Sequence, residues 1–105
     1  MYKNTWVLEG LLKGEEIVFS SVNNSLDFLN IYLEVIIYFD RSVSKGYHFN
    51  VADSPNEVNE LLVSTFSVKS KGRFAVIILQ SPFDFHFENI KIKTRKTKDL
   101  PILIR

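Results

Sequence analysis

Six consecutive apolar residues, Phe74-Ala75-Val76-Ile77-Ile78-Leu79, set the main constraint on this chain. The run is rich in β-branched side chains, follows a turn-forming Lys69-Ser70-Lys71-Gly72 and stops at Ser81-Pro82, so it reads as a strand. It is apolar on both parities, which requires cover on both faces and places it at the centre of a sheet. At six residues it is far too short to span a bilayer.

The rest of the pattern is mostly strand as well. Trp6, Leu8 and Leu12 share a parity, Lys13-Gly14 supplies a turn and Ile17-Val18-Phe19 returns, which predicts a hairpin over 6–22. Between Ser25 and Asp40 two templates compete. The odd positions Leu29 to Phe39 make an apolar strand face, whereas Asp27, Asn30 and Glu34 make a polar stripe on a helix. The β-branched Val35-Ile36-Ile37 favours a strand in the second half, and Asn24 or Ser25 could cap a short helix in the first. A turn at Ser44-Lys45-Gly46 leads into alternating Tyr47, Phe49 and Val51, another strand.

Ser54, Pro55 and Glu57 form a capping box that predicts a helix starting at Pro55, handing over to a strand near Leu62. Lys69 to Gly72 reads as a hairpin loop into the central strand. Phe83, Phe85 and Phe87 share the odd parity while Ile90 and Ile92 take the even one, so a β-bulge is expected at Glu88-Asn89, with all five residues buried. Pro101-Ile102-Leu103-Ile104 could add a last strand. The 105 residues make a single domain, 1–105, of the α+β class but β-dominated: a mainly antiparallel sheet or sandwich of six to eight strands with one or two short helices.

Cysteine is absent, which excludes a disulfide scaffold and a cysteine-based zinc site and suits a reducing cytosol. The opening Met1 to Trp6 carries one lysine and no apolar stretch of signal-peptide length, so the chain reads as soluble, unprocessed and cytoplasmic, with no membrane partner. Nucleophile signatures and phosphate-cradling glycine loops are missing, and the four glycines stand singly. Asp84, His86 and Glu88 at alternate positions could put an imidazole beside carboxylates, or bind a metal if His48 met His86 across the sheet, but a solvated strand face explains them more simply. The expectation is no enzyme, no cofactor and no metal.

Charge is distributed unevenly along the chain. Residues 1–60 carry nine acidic and four basic side chains, residues 61–105 three and nine, so a net charge of +1 hides opposed fields. The acidic part holds Glu9, Glu15, Glu16, Asp27, Glu34, Asp40, Asp53, Glu57 and Glu60 with Trp6, Tyr32, Tyr38 and Tyr47 among them. Acidic side chains around aromatic anchors suit a face that docks a basic protein, so Glu9, Glu15, Glu16, Asp27, Tyr32, Glu34 and Tyr38 are the candidate partner-binding residues. The basic part offers Lys69, Lys71, Arg73, Lys91, Lys93, Arg95, Lys96 and Lys98. If its two segments lie on adjacent strands, Lys69, Lys71, Arg73, Lys91, Lys93 and Arg95 form a stripe able to follow a phosphate backbone.

The profile of the whole chain, small, cysteine-free, aromatic-rich, β-dominated and acidic on one face, resembles the immunity proteins of bacterial toxin systems, including those that accompany contact-dependent growth-inhibition toxins. No single motif carries the resemblance. It implies a stoichiometric inhibitor that binds and blocks a cognate toxin domain, possibly a nuclease with a basic cleft. The basic carboxyl-terminal part would then face away from the toxin. The alternatives are a small nucleic-acid-binding domain using the basic stripe and an assembly subunit using sheet edges.

Overall fold

The computed structural model describes residues 1–40 and 46–96. Among them run eight strands: β1 Tyr2–Leu8, β2 Glu16–Ser21, β3 Glu34–Phe39, β4 Tyr47–Asn50, β5 Glu60–Leu62, β6 Thr65–Lys69, β7 Ala75–Ser81 and β8 Ile90–Arg95. They form two four-stranded antiparallel sheets, sheet A in the order β1-β7-β3-β4 and sheet B in the order β5-β6-β2-β8. The helical content among the described residues is three single 3-10 turns. The strand expected at Pro101 to Ile104, the Ser44-Lys45 part of a turn, and Lys98 lie outside the described residues.

The period-two pattern decides which side chains go inside. On β7 the odd residues Ala75, Ile77 and Leu79 are buried beside Val35, Ile37 and Phe39 of β3, and they meet Ile17 and Phe19 of β2 and Phe66 and Val68 of β6 in one core. Phe19 and Phe66, paired across β2 and β6, stack at 4.4 Å between ring centroids, and Phe28 approaches Phe66 edge-on at 5.0 Å. Each such fully buried ring contributes about 1.5–3 kcal/mol of transfer free energy. β7 lies between β1 and β3, the central position its two-sided apolar run requires.

Local signals chose several elements correctly and their partners wrongly. β1 and β2 are not a hairpin: β1 pairs with β7 in sheet A and β2 with β6 and β8 in sheet B. Gly10 and Gly14, at φ +70° and +88°, carry the chain from one sheet to the other while Leu11 plugs the core. The Lys69-to-Gly72 segment likewise crosses between sheets, as β6 belongs to B and β7 to A.

The capping box at Ser54 yields only the 3-10 turn Pro55–Glu57, and the serine side chain makes no cap hydrogen bond. Val58 is drawn into the core and Glu60–Leu62 is claimed by the β6 ladder, so pairing overrides the local helix signal. The first half of 25–40 holds turns, with a 3-10 turn at Val22–Asn24 where Asn23 and Asn24 take positive φ. In place of the bulge at Glu88-Asn89, His86 adopts a left-handed conformation and starts the 3-10 turn Phe87–Asn89. Phe87 and Ile90 enter the core, Phe85 is half-buried, and Phe83 is 59% exposed.

Candidate functional site

Ser81, the last residue of β7, is completely buried, and its hydroxyl organises one end of the sandwich. Its Oγ donates to the Tyr32 carbonyl at 2.7 Å and accepts the Phe83 backbone N–H at 3.1 Å. Its backbone stands opposite Tyr2 on β1. One buried hydroxyl thus fixes the segment entering β3 and the segment leaving β7 beside the start of β1. Each of the three carries a large aromatic residue half-open to solvent: Tyr2 at 49%, Tyr32 at 46% and Phe83 at 59%.

Carboxylates lie beside Tyr32 and in the loop after Phe83. Tyr32 donates its phenol O–H to Glu34 Oε1 at 3.2 Å. The neighbouring Glu34 charge and that hydrogen bond hold the Tyr32 phenol above its ordinary value of 10.0, with Asp53 adding a smaller push. Glu34 Oε2 accepts from Gln80 Nε2 and lies 3.2 Å from His48 Nε2. The Gln80 hydrogen bond first, then those from His48 and Tyr32, hold Glu34 below its ordinary value of 4.5 despite partial burial. Asp84 accepts the His86 backbone N–H at 3.0 Å, and Glu88 meets His86 Nδ1 at 3.2 Å.

The outer face of sheet A runs on from this end, polar in its first row and mainly apolar beyond it. Lys3, Gln80, Glu34 and Asn50 form its first row, Thr5, Ile78, Ile36 and His48 the second, and Val7, Val76 and Tyr38 the third. The Tyr38 ring covers Gly46, where a Cβ would fall 2.7 Å from it. The outer face of sheet B is different in kind: Lys69, Lys91, Lys93 and Arg95 alternate there with Ser20, Thr65 and Val18.

The structure therefore divides the residues expected to act together. Tyr32, Glu34 and Tyr38 do share a surface, and Asp27 sits near the same end in a turn where it accepts from Leu29 N–H and Asn30 Nδ2. Glu9, Glu15 and Glu16 lie at the opposite end of the strands. Glu15 accepts the Leu12 N–H and Glu16 holds Arg95 at 2.8 Å, so both serve local structure. The basic stripe is divided as well, because β2 separates β6 from β8. Arg95 is held by Glu16 and by Glu60 at 2.5 Å, Lys71 Nζ stands 3.8 Å above the Tyr47 ring, and Arg73, exposed in the crossing between the sheets, donates its backbone N–H to Asp40 Oδ1 at 2.9 Å. Lys69, Lys91 and Lys93 remain as an open basic group.

Tyr2 and Phe83 are the exposed aromatic residues of this end that are absent from the sequence-based set. Phe83 shares its parity with Phe85 and Phe87 and so reads as core; its flanking Pro82 and Asp84 are the signal of a loop. Asp84, His86 and Glu88 lie in that loop and its 3-10 turn and not on a strand face, and His48 pairs with Glu34 instead of His86. Among the described residues no group of three or more His, Asp or Glu is placed to hold a metal ion, and no helix is long and apolar enough to cross a membrane. Comparison with known families, curated proteins and solved structures finds no match to this chain.

Proposed function

We propose that this chain is a non-enzymatic binding protein whose working surface is the aromatic end of sheet A, and that its partner is a basic protein domain, the specific form being an immunity protein that binds and blocks a cognate toxin. The observation that carries the reading is the Ser81 node. The fully buried Ser81 hydroxyl ties the Tyr32 and Phe83 segments together at the end of β7, next to Tyr2 on β1, and Glu34 and Asp53 put negative charge beside Tyr32. Buried aromatic anchors supply most of the affinity of such contacts, while rim charges speed encounter and select the partner's sign. The apolar rows of Ile36, Ile78, Val76 and Val7 extend the area that a partner could cover.

The toxin-neutralising form rests on the chain's general profile. Its test is whether the adjacent reading frame encodes a larger protein that co-purifies with this chain in a fixed stoichiometry. The association rate should fall steeply as salt is raised. A nucleic-acid partner is the rival reading, supported by Lys69, Lys91 and Lys93 on the outer face of sheet B. Salt-sensitive binding to nucleic acid without binding to that protein would favour it.

A further inference from the structure

Sheet edges expose unpaired backbone groups, and among the described residues three of the four edges are protected. β4 has four residues, β5 three, and β8 presents Lys91, Lys93 and Arg95. β1 has none of these guards. It is seven residues long, contains no proline and bears a single charge, Lys3. Among the described residues it pairs with β7 alone.

The free side of β1 can be read from one hydrogen bond. The Thr5 N–H is taken by the side chain of its own neighbour, Asn4 Oδ1, at 3.0 Å. It therefore points away from β7. Backbone groups alternate sides along an antiparallel strand, so Lys3, Thr5 and Val7 direct their N–H and C=O groups outward together. The strand's faces are open too: Met1 through Thr5 are exposed, including Tyr2, whose parity is that of the core.

We propose that β1 pairs antiparallel with β1 of a second copy of this chain about a two-fold axis at Thr5, joining two A sheets into one of eight strands. The fit is self-complementary. With the axis at Thr5, all seven residues overlap and every residue keeps its face: Tyr2 stands opposite Leu8 of the other copy, Lys3 opposite Val7, Asn4 opposite Trp6, and Thr5 opposite Thr5. The three outward residues of each chain then exchange six backbone hydrogen bonds. The only charged residue faces an apolar one, so no like charges meet, and threonine is a favourable neighbour of itself across strands. Asn4 acts as a placeholder that satisfies the Thr5 N–H until the second strand arrives. The pairing leaves the outer face of sheet A open and makes it continuous across the axis, while Tyr2 of the proposed docking end comes to stand opposite Leu8 of the other copy.

The test is sedimentation velocity over a concentration series on four proteins: the unaltered chain, Thr5→Pro, Val7→Lys and Val7→Glu. The unaltered chain should pass from 12.2 kDa to twice that mass as concentration rises. Thr5→Pro removes an N–H that the β7 ladder does not use and should weaken association at least about tenfold while urea unfolding of the monomer stays near that of the parent. The Val7 changes report the register. Val7→Glu faces Lys3 twice and should tighten the dimer roughly two- to thirtyfold, and Val7→Lys should loosen it by a similar factor. A monomer at every concentration up to about 1 mM overturns the proposal. So does a dimer whose affinity is the same in all four proteins, which would place the contact elsewhere.

Discussion

Replacing Ser81 by alanine removes the hydroxyl that holds the aromatic end together, and its cost can be worked from the two hydrogen bonds it makes. One donates to the Tyr32 carbonyl at 2.7 Å and one accepts from Phe83 N–H at 3.1 Å. Each such bond contributes about 0.5–1.5 kcal/mol net, which gives about 1–3 kcal/mol for the pair. Tyr32 and Phe83 stand at the rim where water replaces part of what is lost, so a loss of about 1–2 kcal/mol is expected. With a urea dependence of about 1–1.5 kcal/mol per molar for a domain of this size, the unfolding midpoint should fall by roughly 1 M with an unchanged slope. Backbone hydrogen exchange should rise around Tyr32 and Phe83 and stay constant in β3 and β7. A midpoint shift under about 0.3 M, or uniform exchange throughout the sheet, would refute the argument that one hydroxyl organises this end.

Truncating Phe87 to alanine should cost about 3–5 kcal/mol, since the ring is 8% exposed, whereas the same change at the 59% exposed Phe83 should stay within about 0.5 kcal/mol; thermal melts of the two variants separate them. Glu34→Gln should act at both ends of the pH scale. The folded state holds the Glu34 proton less readily than the unfolded state, so its stabilisation is full above 4.5 and is lost as pH falls through the lowered folded value. The variant should therefore lose stability at neutral pH and show a flatter acid limb in urea unfolding. Tyr32 has the opposite sign: its raised phenol favours the fold up to its ordinary 10.0 and loses that contribution as pH climbs through the folded value, and Glu34→Gln should bring the phenolate absorbance of Tyr32 back toward 10.0. Ser67→Ala should leave stability unchanged or raise it by up to ~1 kcal/mol, because the Ser67 Oγ is buried with no hydrogen-bond partner among the described residues; a loss above about 1 kcal/mol in urea unfolding would contradict this.

Phe74 to Leu79 showed its central place through its own composition, and the odd apolar positions of Val35, Ile37 and Phe39 showed their inner face, because period-two burial is written residue by residue. Partner choice is not written that way. Nothing near Trp6 reveals that it will lie beside Ile77, so proximity along the chain suggested the wrong hairpin. The Ser54 signal marked where a turn begins, but the capping box itself does not form, and only one 3-10 turn remains once Val58 and Glu60–Leu62 are claimed by the core and the β6 ladder. The docking residues were half legible for the same reason. Tyr32, Glu34 and Tyr38 lie close in sequence and share a surface, while Glu9, Glu15 and Glu16, equally acidic, sit a strand length away, about 20 Å by the rise of a seven-residue strand. Phe83 is tied to the Tyr32 segment from the far part of the chain through a buried serine that no composition rule singles out.

The most direct measurement of the central claim is isothermal titration of the protein that co-purifies with this chain against two double variants, Tyr32→Ala with Phe83→Ala, and Lys91→Ser with Lys93→Ser. Neither pair should unfold the domain, as all four side chains are exposed. Losing two aromatic anchors should weaken binding by about 2–4 kcal/mol, roughly thirty- to a thousandfold, while the lysine pair should bind like the parent. Unchanged affinity in the aromatic variant together with lost binding in the lysine variant would contradict the account and make the outer face of sheet B the working surface.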